Sequence, residues 1–130
     1  MRQFDFKEKQ KEVSQILNNF FYQITNTKAE INFYIDGISH NDFKLEGYML
    51  EIEYEDYCDP EFQSVTTVMD NMEKNLHHFV DFIGVDQDFK VKPRSKLKTY
   101  LIGGPLIYKI DYSIEEEKIK ILAGFNITLG

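Results

Sequence analysis

The sequence predicts an α+β protein that forms a single domain over residues 1–130. Two long stretches repeat apolar residues at helical spacing, and most other segments alternate between apolar and polar residues as strands do. The composition, 42% hydrophobic and 28% charged, is typical of a globular domain that is long enough to bury a core. We therefore expect the order α-β-β-α-β-β-β, with two helices packed on one face of an antiparallel sheet.

The first helix is predicted over residues 6–25, with Asp5 as its N-cap and Glu8 in the capping-box position. Its apolar stripe follows the spacing of one helical face. The stripe consists of Val13, Ile16, Leu17, Phe20, Phe21 and Ile24. Gln10, Asn18 and Asn19 lie off this stripe, so we expect them to face water.

A half-buried strand is predicted over residues 29–36, followed by a loop over 36–42 and a long strand over about 43–57. The apolar positions of the long strand change from odd to even numbers partway along. A β-bulge near Tyr48 to Leu50 would account for that change of phase. The later part of the strand would then place three carboxylates on one solvent face, namely Glu51, Glu53 and Glu55.

The second helix is predicted over residues 60–84, with Asp59 as N-cap, Pro60 at the first helical position and Gly84 as the stop. Its long apolar stripe makes it the most strongly patterned element of the chain. The stripe consists of Phe62, Val65, Val68, Met69, Met72, Leu76, Phe79, Val80 and Ile83.

The last third of the chain predicts strands over residues 99–102 and 106–113, with Gly103-Gly104-Pro105 between them as a turn or a kink. The polar segment before them contains Pro93, which argues against a central strand there. A final strand begins at Lys118 and alternates cleanly. Its apolar face consists of Ile119, Ile121, Ala123, Phe125, Ile127 and Leu129.

Charge is segregated along the chain. Residues 45–73 contain nine acids and no lysine or arginine, so the rest of the chain sums to +2 against a total of −7. Residues 89–98 reverse the pattern, with a cation at every second position from Lys90 to Lys98. A single-sign face can steer a partner of opposite charge. The alternative is that the two segments face each other in one sheet and neutralise each other.

The acidic face predicts a non-enzymatic protein-binding module, such as an inhibitor, an immunity protein or an adaptor, that presents an acidic strand to a basic protein. Mimicry of a nucleic-acid backbone is a variant of the same expectation. The predicted partner-binding residues are Glu51, Glu53, Glu55, Asp56, Asp59 and Glu61. The alternative is a small enzyme or ligand-binding domain whose pocket, between sheet and helices, holds Cys58 or His40 beside a carboxylate.

No catalytic residue, cofactor or metal site is predicted. His77 and His78 are adjacent in a predicted helix, so their side chains point about 100° apart and cannot share an ion. The pI near 4.9 argues against direct nucleic-acid binding. The single Cys58 forms no internal disulfide, and the chain shows neither a signal peptide nor an apolar run of membrane-spanning length. We therefore expect a cytoplasmic protein with no membrane contact; the sequence leaves partner identity and oligomeric state open.

Overall fold

The computed structural model describes residues 6–27, 29–36, 38–40, 43–45, 47–99 and 101–130. It describes the side chains of the same residues apart from 6, 38–40, 43–45 and 104–108. The two helices are α1, Phe6–Thr25, and α2, Val65–Phe82. The strands are β1 (Ala29–Tyr34), β2 (Ile38–His40), β3 (Phe43–Leu45), β4 (Tyr48–Tyr57), β5 (Ile83–Val85), β6 (Val91–Pro93), β7 (Ile102–Ser113) and β8 (Lys118–Ile127).

A four-stranded antiparallel sheet in the order β1-β4-β8-β7 forms the centre of the protein. Two short antiparallel hairpins accompany it, one made by β2 and β3 and one by β5 and β6. Strand β2 lies within the segment that the sequence predicts as a loop, and β3 lies at the start of the predicted long strand. The predicted α+β class and the predicted alternation of helices and strands are confirmed.

Both helices pack on the same face of the central sheet. Val13, Leu17 and Phe21 carry the buried face of α1, and Phe21 lies 5.3 Å from Tyr54 and 5.1 Å from Phe79 between ring centroids. Strands β1, β4 and β8 contribute alternate residues to the core, as strands with one buried face do. Its buried side chains are Ile31, Phe33, Leu50, Ile52, Tyr54, Ile119, Ile121, Ala123, Phe125 and Ile127. The apolar face predicted for the final strand is therefore confirmed from Ile119 to Ile127.

Helix α1 has the predicted bounds, and Asp5, its predicted N-cap, lies outside the described residues. Asn19 is exposed, as predicted. The prediction that Gln10 and Asn18 face water is wrong. Both side chains turn towards the outer edge of the sheet. Asn18 bonds the backbone of Ile31 in β1, and Gln10 bonds that of Ile35, one residue beyond the end of β1.

This polar stripe of α1, defined as Gln10, Ser14 and Asn18, seals one edge of the sheet. The Asn18 amide accepts from the Ile31 N–H and donates to the Ile31 carbonyl, both at 2.9 Å. Ser14 Oγ accepts from the N–H of Phe33 at 2.8 Å, and Gln10 Oε1 accepts from that of Ile35 at 2.7 Å. Residues four apart on a helix share one side, so the stripe replaces the missing neighbouring strand.

Helix α2 begins later than predicted, at Val65, because Ser64 and not Asp59 is its N-cap. Ser64 Oγ accepts from the N–H of Thr67, whereas Asp59 Oδ1 accepts from the N–H of Glu61 and closes a turn. Phe62 therefore lies outside the helix and is 85% exposed. Gly84 is not the stop either, because the helix ends at Phe82 and Gly84 belongs to β5.

The predicted bulge near Tyr48 to Leu50 is wrong, because the described ladders of β4 run from Tyr48 to Tyr57 without a shift. The phase changes earlier, where β3 ends at Leu45 and Gly47 adopts a φ of +88° before β4 begins. Register shifts occur instead in β7, after Gly103 and after Ile107. Gly103-Gly104-Pro105 is therefore a kink within one strand and not a turn between two.

Asp86 lies in the turn between β5 and β6 and is only 7% exposed. Its carboxylate accepts from the backbone N–H groups of Asp88 and Lys90, both at 2.9 Å, and from the ammonium of Lys92 at 2.8 Å. The hydrogen bond from Lys92, assisted by the two backbone bonds, lowers the pKa of Asp86 below 3.8. The charged form is thus the form that holds this turn together.

A folded-state pKa below the unfolded value means that the Asp86 contribution to stability is full above pH 3.8 and is lost as the pH falls through the folded pKa. We expect Asp86→Asn to unfold at lower urea concentration than the wild type at neutral pH, with a difference that shrinks in acid. Asp88→Asn, at an exposed neighbour, is the matched control and should keep the wild-type pH dependence. A difference between wild type and Asp86→Asn that stays constant with pH would contradict this assignment.

Candidate functional site: an acidic end

The three predicted carboxylates of β4 do share the sheet face that points away from the helices. Glu51, Glu53 and Glu55 alternate there with the buried residues of the strand. Two lysines from β8 lie among them. Lys120 Nζ is 2.7 Å from Glu53 Oε1, and Lys118 Nζ is 3.7 Å from Glu55 Oε1. Mixed charge therefore covers this open face of the sheet.

The basic run of residues 90–98 is not what neutralises the acidic strand. Its first part forms β6, which pairs with β5, and a 3₁₀ turn over Arg94–Lys96 interrupts the alternation of cations. Lys92 bonds Asp86, and Arg94 Nη1 lies 3.1 Å from Asp81 Oδ1 on α2. Pro93 ends β6, a three-residue strand of a two-stranded hairpin, which agrees with the expectation that this proline excludes a central strand.

Acidic charge concentrates instead at one end of the sheet, where β4 leaves it and β7 turns into β8. This acidic end, defined as residues 55–62 and 114–118, carries seven acids and one lysine in a chain whose net charge is −7. The acids are Glu55, Asp56, Asp59, Glu61, Glu115, Glu116 and Glu117. Four of the six predicted partner-binding residues therefore lie within it, whereas Glu51 and Glu53 lie further along the open face.

Backbone contacts hold the two segments of the acidic end together. The N–H of Cys58 donates to the Glu117 carbonyl at 2.8 Å, and the N–H of Glu117 donates to the Ile114 carbonyl at 3.3 Å. Glu117 adopts a positive φ of 53°, which closes the β7–β8 turn. Asp59 accepts from the N–H of Phe62 at 3.0 Å, so the turn after β4 is equally defined.

Tyr57 connects the acids of the two segments. A hydrogen bond to Glu117, with further contributions from burial and from the charge of Asp59, raises the pKa of Tyr57 to about 12. Its hydroxyl lies 3.4 Å from Asp59 Oδ2. Partial burial, and then neighbouring groups that include Asp59 and Glu117, raise the pKa of Tyr112. Both phenols therefore stay protonated at neutral pH and can donate hydrogen bonds.

Large apolar side chains stand exposed among these carboxylates. Phe62 is 85% exposed, Ile114 is 71% exposed and Tyr57 is 61% exposed. Exposed apolar residues that occur singly are ordinary, but these three all belong to the two segments that form the acidic end. Sequence reasoning missed Phe62 because it assigned that residue to the apolar stripe of a helix, and it did not consider Ile114. The signal that could have found the site is the run Glu115–Glu117 directly after Ile114.

The remaining predicted residues are less central to this surface. Asp56 alternates onto the helix side of β4, and its Oδ1 accepts from the N–H of Tyr57 at 2.8 Å. Cys58 is 1% exposed and belongs to the hydrophobic core, so its thiol faces no surface cleft. The His40 side chain lies outside the described residues.

A cavity and the two helices are the other features that bear on function. A cavity of about 350 Å³ lies beside the β5–β6 turn and is bordered by Lys96, Lys98 and Asp86. Among the described residues, no group of three His, Cys, Asp or Glu side chains is placed to hold a metal ion. Neither helix, over its described length, combines the extent and apolar character needed to cross a membrane.

Comparison with protein-family models, with curated proteins and with solved structures finds no match to this chain. The fold and the candidate site therefore define only a structural class. Proteins of this class have two helices on one face of a four-stranded antiparallel sheet, with an acidic and partly apolar end.

Proposed function

We propose that the protein is a non-enzymatic binding module that docks a basic protein on its acidic end. The observation that carries this proposal is the exposure of Phe62, Ile114 and Tyr57 among seven carboxylates. Protein interfaces draw most of their affinity from a few large side chains that become buried, and aromatic residues are prominent among them. Charges around such anchors mainly steer the partner and select it.

The two kinds of side chain have separate roles in this proposal. Burying Phe62 fully against a partner is worth about 1.5–3 kcal/mol, which makes it the principal anchor. The surrounding acids attract a partner that carries lysine or arginine around an apolar pocket. Since their charge is exposed to solvent, that attraction weakens as salt is added, while the apolar contact does not.

The open face of the sheet contributes less than the sequence suggests. Lys120 lies 2.7 Å from Glu53 and 3.6 Å from Glu55, so cations interrupt the row of carboxylates. A nucleic-acid backbone carries charge of a single sign along its length, which this mixed row does not match. We therefore favour binding of a basic protein surface by the acidic end, rather than mimicry of a nucleic acid by strand β4.

The experiment compares two double charge reversals in affinity capture from the native cell at low and high salt. Glu61→Lys with Glu115→Lys changes the acidic end at two exposed positions, one in each of its two segments. Glu12→Lys with Asp70→Lys introduces the same change of net charge on the helices and is the matched control. We expect the first variant to lose the captured partner by about tenfold or more in affinity, and the control to retain it.

Two further variants assign the interaction within the surface. Phe62→Ala is expected to lower the affinity for the partner by the same factor at low and at high salt, because it removes an apolar contact that salt does not screen. Glu51→Lys with Glu53→Lys tests the open face alone and is expected to have the smaller effect. If Glu61→Lys with Glu115→Lys captures the same partner at wild-type affinity, the acidic end is not the docking site.

A further inference from the structure

The two edges of the central sheet differ in how they end. At one edge, the polar stripe of α1 bonds the backbone of β1 at Ile31 and Phe33, and that of Ile35 just after the strand. At the other edge lies β7, which pairs with β8 alone among the strands that the structure describes. An edge strand without a cover presents its outward N–H and C=O groups to any strand that can align with it.

The second half of β7 has a regular and partly apolar edge. From Lys109 to Ser113 its register with β8 is continuous, so this part is a straight strand beyond both irregularities. On the helix side, Ile110 is 44% exposed and Tyr112 is 36% exposed, although each lies opposite a buried isoleucine of β8. A neighbouring strand at this edge would extend the core over both side chains.

The charges of β7 match a second copy of the same strand. Lys109 and Asp111 share the open face, with Lys109 Nζ at 3.3 Å from Asp111 Oδ2. A two-fold axis through Ile110 in an antiparallel pair places Lys109 of one copy opposite Asp111 of the other, on the same face. It also places the two Ile110 side chains opposite each other on the helix side. Opposite charges in such cross-strand positions stabilise a register, and like charges disfavour it.

We infer that two copies of this chain pair antiparallel through β7 about Ile110, which joins their sheets into one continuous sheet. The interface is isologous, since Lys109 meets Asp111 twice by symmetry. Backbone hydrogen bonds supply the pairing, and the charged pairs fix its register. This inference rests on the sheet edge alone and does not depend on the proposed acidic docking site.

The test uses complementary charge variants and measures mass in solution by sedimentation over a range of concentrations. Lys109→Asp gives β7 two acids, and Asp111→Lys gives it two lysines. Each variant alone therefore sets like charges opposite each other in the symmetric pair, and we expect self-association to weaken by about tenfold or more. An equimolar mixture restores opposite pairs, so the two variants together should form a mixed dimer as readily as the wild type.

Rescue in the mixture also shows that both variants fold, because unfolded chains could not restore the pairing. The matched controls are Lys74→Asp and Asp70→Lys on α2, which carry the same charge changes away from the edge and should self-associate like the wild type. A wild-type protein that stays monomeric throughout the concentration range overturns the inference. So does a wild-type dimer that both β7 variants retain, because it must then form through another surface.

Discussion

Phe21→Ala is expected to lower the free energy of unfolding by about 3–5 kcal/mol, which is a large part of the stability of a domain this size. Phe21 has no exposed surface, and its ring contacts Tyr54 of β4 and Phe79 of α2 edge-on. Truncation leaves a cavity at the point where both helices meet the sheet. The surrounding elements cannot all move into it, because each is held by its own backbone hydrogen bonds.

The Phe21 ring also supports a polar contact within the core. Phe21 packs against the ring of Tyr54. The hydroxyl on that ring accepts a hydrogen bond from the Asn75 amide at 2.7 Å and one from Thr27 Oγ1 at 3.3 Å. A displaced Tyr54 would loosen these bonds as well as the aromatic contact. We therefore place the expected loss towards the upper part of the range for a phenylalanine truncation.

Urea unfolding at neutral pH measures this effect. Tyr22→Ala is the matched control, because Tyr22 is the next residue of the same helix and is 52% exposed. That control should change the free energy of unfolding by about 0.5 kcal/mol or less. Equal losses for the two variants would show that Phe21 is not the central contact between the helices and the sheet.

The buried face of α1 and that of β8 could be predicted because each depends on a local period. One helical stripe and one strand alternation decide which side chains are buried, whatever the neighbours are. Ile16 shows the limit of this rule, since it belongs to the predicted stripe but is 38% exposed. The period gives the direction of a side chain, whereas the width of the covered stripe depends on what packs against it.

The start of α2 was mispredicted because two N-cap sequences lie five residues apart. Asp59-Pro60 has the residues of a helix start, but the same Asp also closes a turn with the N–H of Glu61. Ser64 then caps the helix through Thr67. Local propensity cannot rank two such starts, and the difference determines whether Phe62 is a core residue or a surface anchor.

The candidate site was found only in part, for a related reason. Alternation alone places Glu51, Glu53 and Glu55 on one face, and the structure agrees. The ion pairs of Glu53 and Glu55 with Lys120 and Lys118 follow from β8 lying beside β4, a contact between segments more than sixty residues apart. The sequence offers the run from Lys90 to Lys98 as an equally suitable partner, so charge pattern alone cannot choose the neighbouring strand.

The polar stripe of α1 was missed because polar residues beside an apolar stripe ordinarily face solvent. Ser14 directly follows Val13, and Asn18 directly follows Leu17, two buried residues of the apolar stripe. This position beside the buried face directs both polar side chains towards the edge of β1. The i, i+4 and i+8 spacing from Gln10 was visible in the sequence. Its role could be predicted only with the knowledge that an edge strand runs alongside the helix.

Asn18→Ala is expected to lower the free energy of unfolding by about 2–3 kcal/mol, because it leaves both the N–H and the carbonyl of Ile31 without their partner. Urea unfolding checks the size of the loss. Asn19→Ala is the matched control at the next residue, which is exposed, and it should be near neutral.

Asn18→Asp keeps the acceptor for the Ile31 N–H, but its second carboxylate oxygen faces the Ile31 carbonyl where the amide donor was. At neutral pH we therefore expect a loss at least as large as that of Asn18→Ala. The same variants report on the edge itself, because opening β1 exposes strand backbone to other chains. We therefore expect Asn18→Ala to aggregate more readily on heating than Asn19→Ala. If the two variants match in both stability and aggregation, the amide of Asn18 does not protect this edge.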